Sequence, residues 1–437
     1  MKYYSTNNKN VTVSLKEAVL TGMPKDKGLF MPMELKKLDD NLIQKMSSMS
    51  FQDISKKVCK NIIDDIDETV LDRIIDEAIN FDAPLIKIND KISTLELFHG
   101  PTLAFKDFGA RFMSRLMSYF VKDSHRKLNI VVATSGDTGS AVANGFLGVD
   151  NINVLVLYPS GKVSKIQEKQ IATLGENITA LEVDGTFDDC QKMVKAALID
   201  DDILDNLKIT SANSINISRL IPQIFYFFQM VAQLDYQPSD KIAVCVPSGN
   251  FGNLTAGLMG KQMGLPISQF IAATNINDVV PEYLASSIFS PRPSKTTISN
   301  AMDVGDPSNF MRILDIYDND YNMITQEIKG FSYTDDETRQ KMRQVYEDFG
   351  YICDPHGAVG YLGLETFLEQ HPEFNKGVFC ETAHPAKFKD TVVDAIDQKV
   401  KLPERLTKFM ARDNVSVKIS TDFQELKELM LSGGQYR

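Results

Sequence analysis

The chain of 437 residues has no tryptophan, only five histidines and only five cysteines. The cysteines lie far apart, without a Cys-x-x-Cys pair, so neither a disulfide framework nor a zinc site is predicted. The histidines show no His-x-x-x-His or other paired spacing, and we therefore reject a metalloenzyme. These scattered residues are Cys59, Cys190, Cys245, Cys353, Cys380, His99, His125, His356, His371 and His384.

Long basic clusters, targeting signals and membrane spans are also missing. With 58 acidic and 47 basic residues the formal net charge is -11, which argues against a nucleic-acid or anionic-membrane partner. Residues 1–8 lack the apolar core of a signal peptide and the arginines of a transit peptide. The most apolar long segment, 221–234, contains Pro222 and is short for a span, so it predicts a buried helix. Together these absences predict a cytoplasmic protein.

The middle and end of the chain show the pattern of layered α/β structure. Hydrophobic residues make up 43% and charged residues 24% of the chain, as in ordinary globular proteins, and the length predicts two or three domains. Short apolar runs followed by glycine turns and helical patterns indicate parallel strands. Residues 286–300, rich in serine, threonine and proline, predict a long exposed loop. The predicted strands are 129–134, 152–158, 178–184, 241–247, 269–274 and 377–382.

Lys106 stands at the start of a predicted helix. A Gly-Pro turn at 100–101 precedes it, and apolar residues recur at helical spacing from Phe105 to Leu116. The positive end of the helix dipole and the flanking phenylalanines disfavour an ammonium. This predicts a lowered pKa for Lys106 and an amine able to attack carbonyls. The alternative is an exposed lysine that only begins a helix.

A first strand-to-helix turn, residues 133–140, reads Ala-Thr-Ser-Gly-Asp-Thr-Gly-Ser. Its small residues, hydroxyls and free backbone N–H groups form a seat for an anionic group such as a carboxylate. The alternative is a plain turn in which Ser or Thr caps the helix.

A second turn, residues 246–257, reads Val-Pro-Ser-Gly-Asn-Phe-Gly-Asn-Leu-Thr-Ala-Gly. Gly249 and Gly252 let the backbone approach a ligand closely, and the N–H groups at the helix start suit a phosphate. The chain contains no dinucleotide fingerprint, Walker loop or Gly-x-Ser-x-Gly elbow. We therefore predict a seat for a single phosphate group and no binding site for adenosine. A nucleotide-dependent kinase is not supported.

Two further segments carry polar groups. In the turn 380–388, Thr382 follows the last predicted strand and could place its hydroxyl in the same cleft, although a helix cap is an equal alternative. In the segment 211–220, amide, hydroxyl and guanidinium groups suit a second phosphate, since arginine offers a planar fork to its oxygens.

A helix-start lysine, a glycine loop for one phosphate and a hydroxyl-rich turn for a carboxylate are the parts of a pyridoxal-phosphate site. The order of the motifs closely resembles threonine synthases of the bacterial and fungal type. The resemblance begins at 26–32 and spans nearly the whole chain, with little signal after Phe388. The five motifs that carry it are residues 99–109, 134–139, 213–219, 247–253 and 382–388.

The resemblance implies pyridoxal 5'-phosphate as cofactor, bound as a Schiff base by Lys106, which also moves protons between substrate carbons. Asp137 would face the phenolic oxygen, where many relatives of the wider fold carry Asn, and the direction of that hydrogen bond stays open. Thr382 would meet the pyridine nitrogen, and a neutral hydroxyl there suits eliminations and replacements. The residues implied for the cofactor phosphate are Gly249, Asn250, Phe251, Gly252 and Asn253.

The implied substrate is O-phospho-L-homoserine, which would lose phosphate from its γ carbon and gain water at its β carbon to give L-threonine. The open alternatives are a phospholyase or dehydratase on a related amino acid and a non-catalytic binding paralogue, against which the retained Lys106 speaks. The residues implied for the α-carboxylate are Thr134, Ser135 and Thr138, and those for the substrate phosphate are Asn213, Ser214 and Arg219.

The implied fold is the α/β fold of tryptophan synthase β-like enzymes, with two α/β domains closing over the cofactor. We predict a mainly helical N-terminal subdomain at 1–90 and a smaller α/β domain with the cofactor lysine at 91–240. A larger α/β domain with the phosphate loop and C-terminal helices would follow at 241–437. A monomer or homodimer is expected.

Overall fold

The computed structural model describes residues 1–432. The N-terminal elements are β1 (Lys2–Ser5), β2 (Asn8–Ser14), α1 (Leu15–Thr21), β3 (Phe30–Pro32), α2 (Asp40–Lys45), α3 (Phe51–Lys60) and α4 (Glu68–Ala78). The strands form an antiparallel sheet of order β2-β1-β3, so the region predicted as mainly helical also holds a small sheet. The sequence pattern showed only residues 11–14 of it, because β2 is exposed and begins with polar residues.

The elements that follow are β4 (Leu85–Lys87), β5 (Ile92–Glu96), α5 (Lys106–Val121), β6 (Leu128–Ala133), α6 (Asp137–Phe146), β7 (Ile152–Pro159), α7 (Lys165–Ala172), β8 (Ile178–Val183), α8 (Phe187–Ala197), α9 (Asp201–Asn206), β9 (Lys208–Ser211) and α10 (Ile217–Gln233). Helix α5 begins at Lys106, as predicted, and buries Phe108, Phe112 and Leu116. Helix α10 confirms the buried helix predicted at 221–234, since almost its whole surface is covered.

The last elements are β10 (Ile242–Pro247), α11 (Gly252–Gln262), β11 (Gln269–Thr274), α12 (Val279–Ser286), α13 (Phe310–Ile316), α14 (Tyr321–Glu327), β12 (Ile328–Ser332), α15 (Asp335–Phe349), α16 (Pro355–Gln370), β13 (Lys376–Glu381), α17 (Lys389–Ile396), α18 (Glu404–Met410), β14 (Val417–Ile419) and α19 (Phe423–Leu431). Short 3₁₀ turns lie at Met46–Ser48, Asn300–Met302 and Pro385–Phe388. No helix among residues 1–432 is long and apolar enough to cross a membrane.

A five-stranded parallel sheet of order β14-β8-β7-β6-β9 forms one half of the α/β structure. Its inner strands are apolar on both faces, as expected for a parallel sheet covered by helices. Strands β6 and β9 are neighbours, so the segments after them, 133–140 and 211–220, meet at the same edge of the sheet. Ligands of open α/β sheets bind at this carboxyl edge.

A six-stranded sheet of order β12-β11-β10-β13-β5-β4 forms the other half, and only its β4–β5 pair is antiparallel. Strand β13 lies between β10 and β5. The phosphate loop after β10, the turn after β13 and the segment that leads from β5 to Lys106 therefore leave the sheet side by side.

The six predicted strands are confirmed, each with its ends shifted by one residue at most. The predicted loop 286–300 has no strand and no α-helix after Ser286, and most of it is exposed, although Thr297 and Ser299 are buried. The division into 1–90, 91–240 and 241–437 stays a prediction, and residues 433–437 lie outside the described part. Strand pairing does not follow these boundaries, because β4 and β5 join the six-stranded sheet and β14 joins the five-stranded one.

Candidate active site

Backbone contacts place Lys106 beside the end of β13. The N–H of Phe105 donates to the carbonyl of Thr382 at 2.8 Å, and Ala104 forms an isolated bridge with Ala383. Thr382 itself is almost fully buried. The structure therefore brings the predicted cofactor lysine and the predicted pyridine partner together through their main chains.

Lys106 is half-buried at the start of α5, and its pKa falls from 10.5 to about 8. Burial is the largest cause, and the positive charges of Arg219 and Lys387 lower the pKa further, while the carboxylate of Asp137 raises it. The predicted lowering is thus confirmed, with burial as its main origin. At pH 7 roughly a tenth of such an amine is neutral, against less than a thousandth for an ordinary lysine.

Asp137, the first residue of α6, is held by two buried side chains. Its Oδ1 lies 2.7 Å from Nζ of Lys387 and accepts a hydrogen bond from Nε2 of Gln167 at 2.9 Å. Burial raises the pKa of Asp137, but the charges of Lys387 and Lys106 and these hydrogen bonds outweigh it and hold the pKa well below its usual range. Asp137 is therefore an ionised carboxylate, and Lys387 also donates to the carbonyl of Thr102 at 2.9 Å.

The predicted carboxylate seat is a tight turn around Thr134. Its Oγ1 accepts hydrogen bonds from the N–H groups of Gly136 at 2.9 Å and Gly139 at 2.8 Å, so the hydroxyl of this buried threonine shapes the turn. Gly136 has φ 143°, and a Cβ there would overlap the amide of Gln167. Ser135 and Thr138 are half-buried and present the more accessible hydroxyls.

The predicted substrate-phosphate segment, residues 211–220, is hydrogen-bonded to this turn. Nδ2 of Asn213 donates to the carbonyl of Ala133 at 3.0 Å, and Ser214 is half-buried. Arg219 is buried, with Nη1 donating to the carbonyl of Ala212 at 2.7 Å and Nε without a partner among the described residues. Burial lowers its pKa to about 10. An orphaned buried N–H of this kind suits an anionic ligand.

The predicted cofactor-phosphate loop lies at the start of α11. Phe251 has left-handed backbone (φ 61°), and no side chain caps the helix. A Cβ on Gly249 would lie 2.7 Å from the carbonyl oxygen of Ala301, so only glycine fits without movement. The carbonyl side of the Asn253 amide accepts from Tyr226 at 2.7 Å, while its buried Nδ2 has no partner among residues 1–432.

The residues present therefore fit pyridoxal phosphate. They supply a half-buried lysine of lowered pKa for its aldehyde, a glycine loop on an uncapped helix N-terminus for its phosphate, and a buried hydroxyl, Thr382, near that lysine for its ring. The individual roles of the predicted site residues remain proposals.

Sequence reasoning missed four residues of this region. Lys387 and Gln167 hold Asp137, and Asn309 and Arg312 lie against the substrate-phosphate segment. Lys387 lies in the motif 382–388, but the sequence pattern predicts no role for it. Arg312 had one available signal, a basic residue within the otherwise apolar first turns of α13.

The fold and this site define a pyridoxal-phosphate-dependent enzyme of the tryptophan synthase β-like fold. The sequence model described as pyridoxal-phosphate dependent enzyme matches residues 86–381. The fold of this chain is also similar to that of threonine deaminase isoform 2 from Solanum lycopersicum. The TM-score is 0.55 at 13% identity, and the match covers 76% of this chain and 95% of that one.

The chain belongs to the threonine synthase family of lyases. Models of the threonine synthase N terminus and C-terminal region match residues 2–79 and 357–430. Threonine synthase of Escherichia coli is 42% identical over 99% of this chain and 100% of the relative, and its crystal structure, with the same coverage, has a TM-score of 0.92. The structure of PLP-bound threonine synthase from Brucella melitensis has a TM-score of 0.91 at 32% identity, covering all of both chains. The predicted family, fold, cofactor and enzyme class are confirmed.

Proposed function

We propose that this enzyme converts O-phospho-L-homoserine and water to L-threonine and inorganic phosphate. The observation that carries this proposal is a half-buried lysine of lowered pKa together with two separate candidate binding sites for anions. One seat suits the phosphate of the cofactor, and the other, next to the carboxylate turn, suits the phosphate of an amino-acid substrate.

The residues that would hold the cofactor are Lys106, Asp137, residues 249–253 and Thr382. When bound, pyridoxal phosphate supplies the electron withdrawal that lets protons leave the carbons next to the substrate amino group. Asp137, fixed and ionised by Lys387 and Gln167, would act toward the phenolic oxygen as a hydrogen-bond acceptor. The proposed direction of this hydrogen bond is thus from the phenolic oxygen to Asp137.

The substrate would span the carboxyl edge of the five-stranded sheet. Ser135, Thr138 and the turn shaped by Thr134 would take its α-carboxylate. Asn213, Ser214 and Arg219, on the segment after the neighbouring strand, would take its phosphate. In this arrangement the α and γ ends of a four-carbon chain would lie at separate anion-binding sites.

Lys106 would act as the general base and the general acid of the reaction. Its low pKa gives a useful fraction of neutral amine near pH 7, so it can remove the protons at the α and β carbons and later return one proton to the γ carbon and one to the α carbon. Phosphate leaves from the γ carbon with the bonding electron pair, and water then adds its oxygen at the β carbon. One flexible base can serve these positions because they are neighbours.

Product analysis tests the proposal. With O-phospho-L-homoserine as substrate, threonine and phosphate should appear one for one, and Lys106→Ala should abolish both. Formation of 2-oxobutyrate with most of the phosphate would instead indicate a phospholyase, in which the intermediate escapes before water adds. Homoserine should react far more slowly, because hydroxide is a poor leaving group and the phosphate contacts are lost.

A cytoplasmic location and a monomeric or homodimeric state are also part of this proposal. The location is supported by the five dispersed cysteines, which fit a reducing compartment.

A further inference from the structure

Arg312, on α13, is the largest fully buried side chain of the described residues. Its guanidinium donates only to neutral oxygens. The carbonyl of Phe30 accepts from Nε at 3.3 Å and from Nη2 at 3.1 Å, and the carbonyl of Ile215 accepts from Nη2 at 2.7 Å. Nη1 donates to the carbonyl of Ser214 at 3.3 Å and to Oδ1 of Asn309 at 2.5 Å. All five N–H groups are thus in use.

The charge of Arg312 has no carboxylate partner within residues 1–432. Burial lowers its pKa to about 9 and is its only resolved cause, so the group is still mostly charged at neutral pH. A buried cation usually carries a counter-charge, because its desolvation is costly. Arg312 therefore provides an unneutralised positive charge directly behind residues 214–215 of the substrate-phosphate segment.

Asn309 lies between the two anion seats and is fully buried. Because Arg312 occupies its Oδ1, the amide nitrogen must point the other way, where Nδ2 donates to Oγ of Ser214 at 3.2 Å. The same Nδ2 lies 3.4 Å from the position a Cβ on Gly252 would take. The backbone N–H of Asn309 donates to the carbonyl of Asn250 at 3.3 Å.

We propose that Asn309 is a ligand-binding residue at the junction of the two phosphate seats. Arg312 is a positioning residue that orients the amide of Asn309 and supplies positive charge to both seats. The ligand class is a phosphate monoester or phosphate dianion. One amide hydrogen of Asn309 serves Ser214, and the second is available to a phosphate oxygen. The inference rests on the proposed function, since it takes both seats as phosphate sites.

The proposal also gives the N-terminal motif 26–32 a role. The carbonyl of Phe30 in β3 accepts two of the five hydrogen bonds of Arg312, so the N-terminal sheet helps to fix the guanidinium. A segment remote in sequence from Lys106 thus contributes to the seat through one buried side chain.

The decisive variant is Asn309→Asp. It keeps an oxygen for Arg312 and gives that cation a buried ion-pair partner, so a purely structural role predicts an unchanged or higher thermal midpoint and normal binding. The proposal predicts the same midpoint but weaker ligand binding, because a donor is replaced by a negative charge facing phosphate. Calorimetric titration with inorganic phosphate should show a Kd raised about tenfold to a hundredfold, and KM for O-phospho-L-homoserine should rise more than kcat falls.

Asn322→Asp, an exposed change on the neighbouring helix α14, is the matched control and should leave both values unchanged. Arg312→Lys keeps the charge but cannot make the planar set of five hydrogen bonds, so it should lower the midpoint and weaken phosphate binding to a smaller extent. Visible absorbance of the purified variants reports how much cofactor each retains.

Normal phosphate affinity in folded Asn309→Asp would overturn the proposal, and so would a lowered midpoint with normal affinity. The phosphate titration needs no turnover. A wild-type protein that binds phosphate but makes no threonine would overturn the proposed reaction alone, which keeps the two failures distinct.

Discussion

Two fully buried cations near the site are stabilised in different ways. Lys387 contacts the carboxylate of Asp137 at 2.7 Å, so its charge is neutralised locally. Arg312 contacts only carbonyl and amide oxygens. Removing one member of an ion pair leaves a bare buried charge, whereas removing an unpaired cation does not. The comparison teaches that Lys387 serves to orient a charged neighbour, while the charge of Arg312 is available to an incoming anion.

The largest expected effect comes from breaking the paired cation. Lys387→Met should lower the free energy of unfolding by about 3 to 5 kcal/mol, because the buried carboxylate of Asp137 loses the counter-charge that it contacts directly. Urea denaturation of the cofactor-free protein measures this change. Lys389→Met, two residues along and partly exposed, is the matched control and should stay close to wild type.

The double variant Asp137→Asn with Lys387→Met sharpens the same comparison. Because both charges are removed together, most of the lost stability should return, although activity should not. A double variant as unstable as Lys387→Met alone would show that the methylenes of Lys387, and not its ion pair, carry the stability.

An intermediate effect concerns Lys106, whose pKa is lowered by burial from 10.5 to about 8. Between these pH values the unfolded chain binds more protons at this lysine than the folded chain does, so the free energy of unfolding rises with pH. The gain should approach about 3 kcal/mol in the cofactor-free protein. Denaturation curves from pH 7.5 to 10.5 should show it for wild type but not for Lys106→Met, and parallel pH dependences would contradict the lowered pKa.

The smallest expected effect comes from variants that test the two phosphate seats one at a time. Arg219→Ala should retain the cofactor but raise KM for O-phospho-L-homoserine about tenfold to a hundredfold, the cost of one charge-assisted contact. Gly252→Asp should do the reverse and lose cofactor, because a carboxylate would face the cofactor phosphate. Cofactor absorbance after gel filtration measures retention, and loss of cofactor from Arg219→Ala would contradict the division of labour.

Local patterns of the sequence predicted much of this structure. The strand-turn-helix signals at 133–140 and 246–257 located two seats, and the apolar spacing after Lys106 located its helix, because each depends on contacts close in sequence. Seven strands among the described residues were missed, and β5, β9 and β12 show why. They are short, mix polar with apolar residues and become strands only through partners far along the chain.

The side chains that the sequence left without a role depend on tertiary contacts. Lys387 meets Asp137 across 250 positions of the chain (387 − 137), and Arg312 meets Phe30 across 282. No spacing rule connects such residues, because their proximity follows from how the two sheets are ordered. The family resemblance supplied the cofactor and the reaction, which periodicity alone could not.

The order of strands in the six-stranded sheet has a consequence for how the chain is made. Strand β13, residues Lys376–Glu381, separates β10 from β5, and β14, at Val417–Ile419, is the edge of the other sheet. During synthesis, β4 and β5 therefore leave the ribosome long before the strand that joins them to their sheet exists. The β4–β5 hairpin therefore waits for its partner strand until nearly nine-tenths of the chain has been translated, and such long-range pairing favours slow folding.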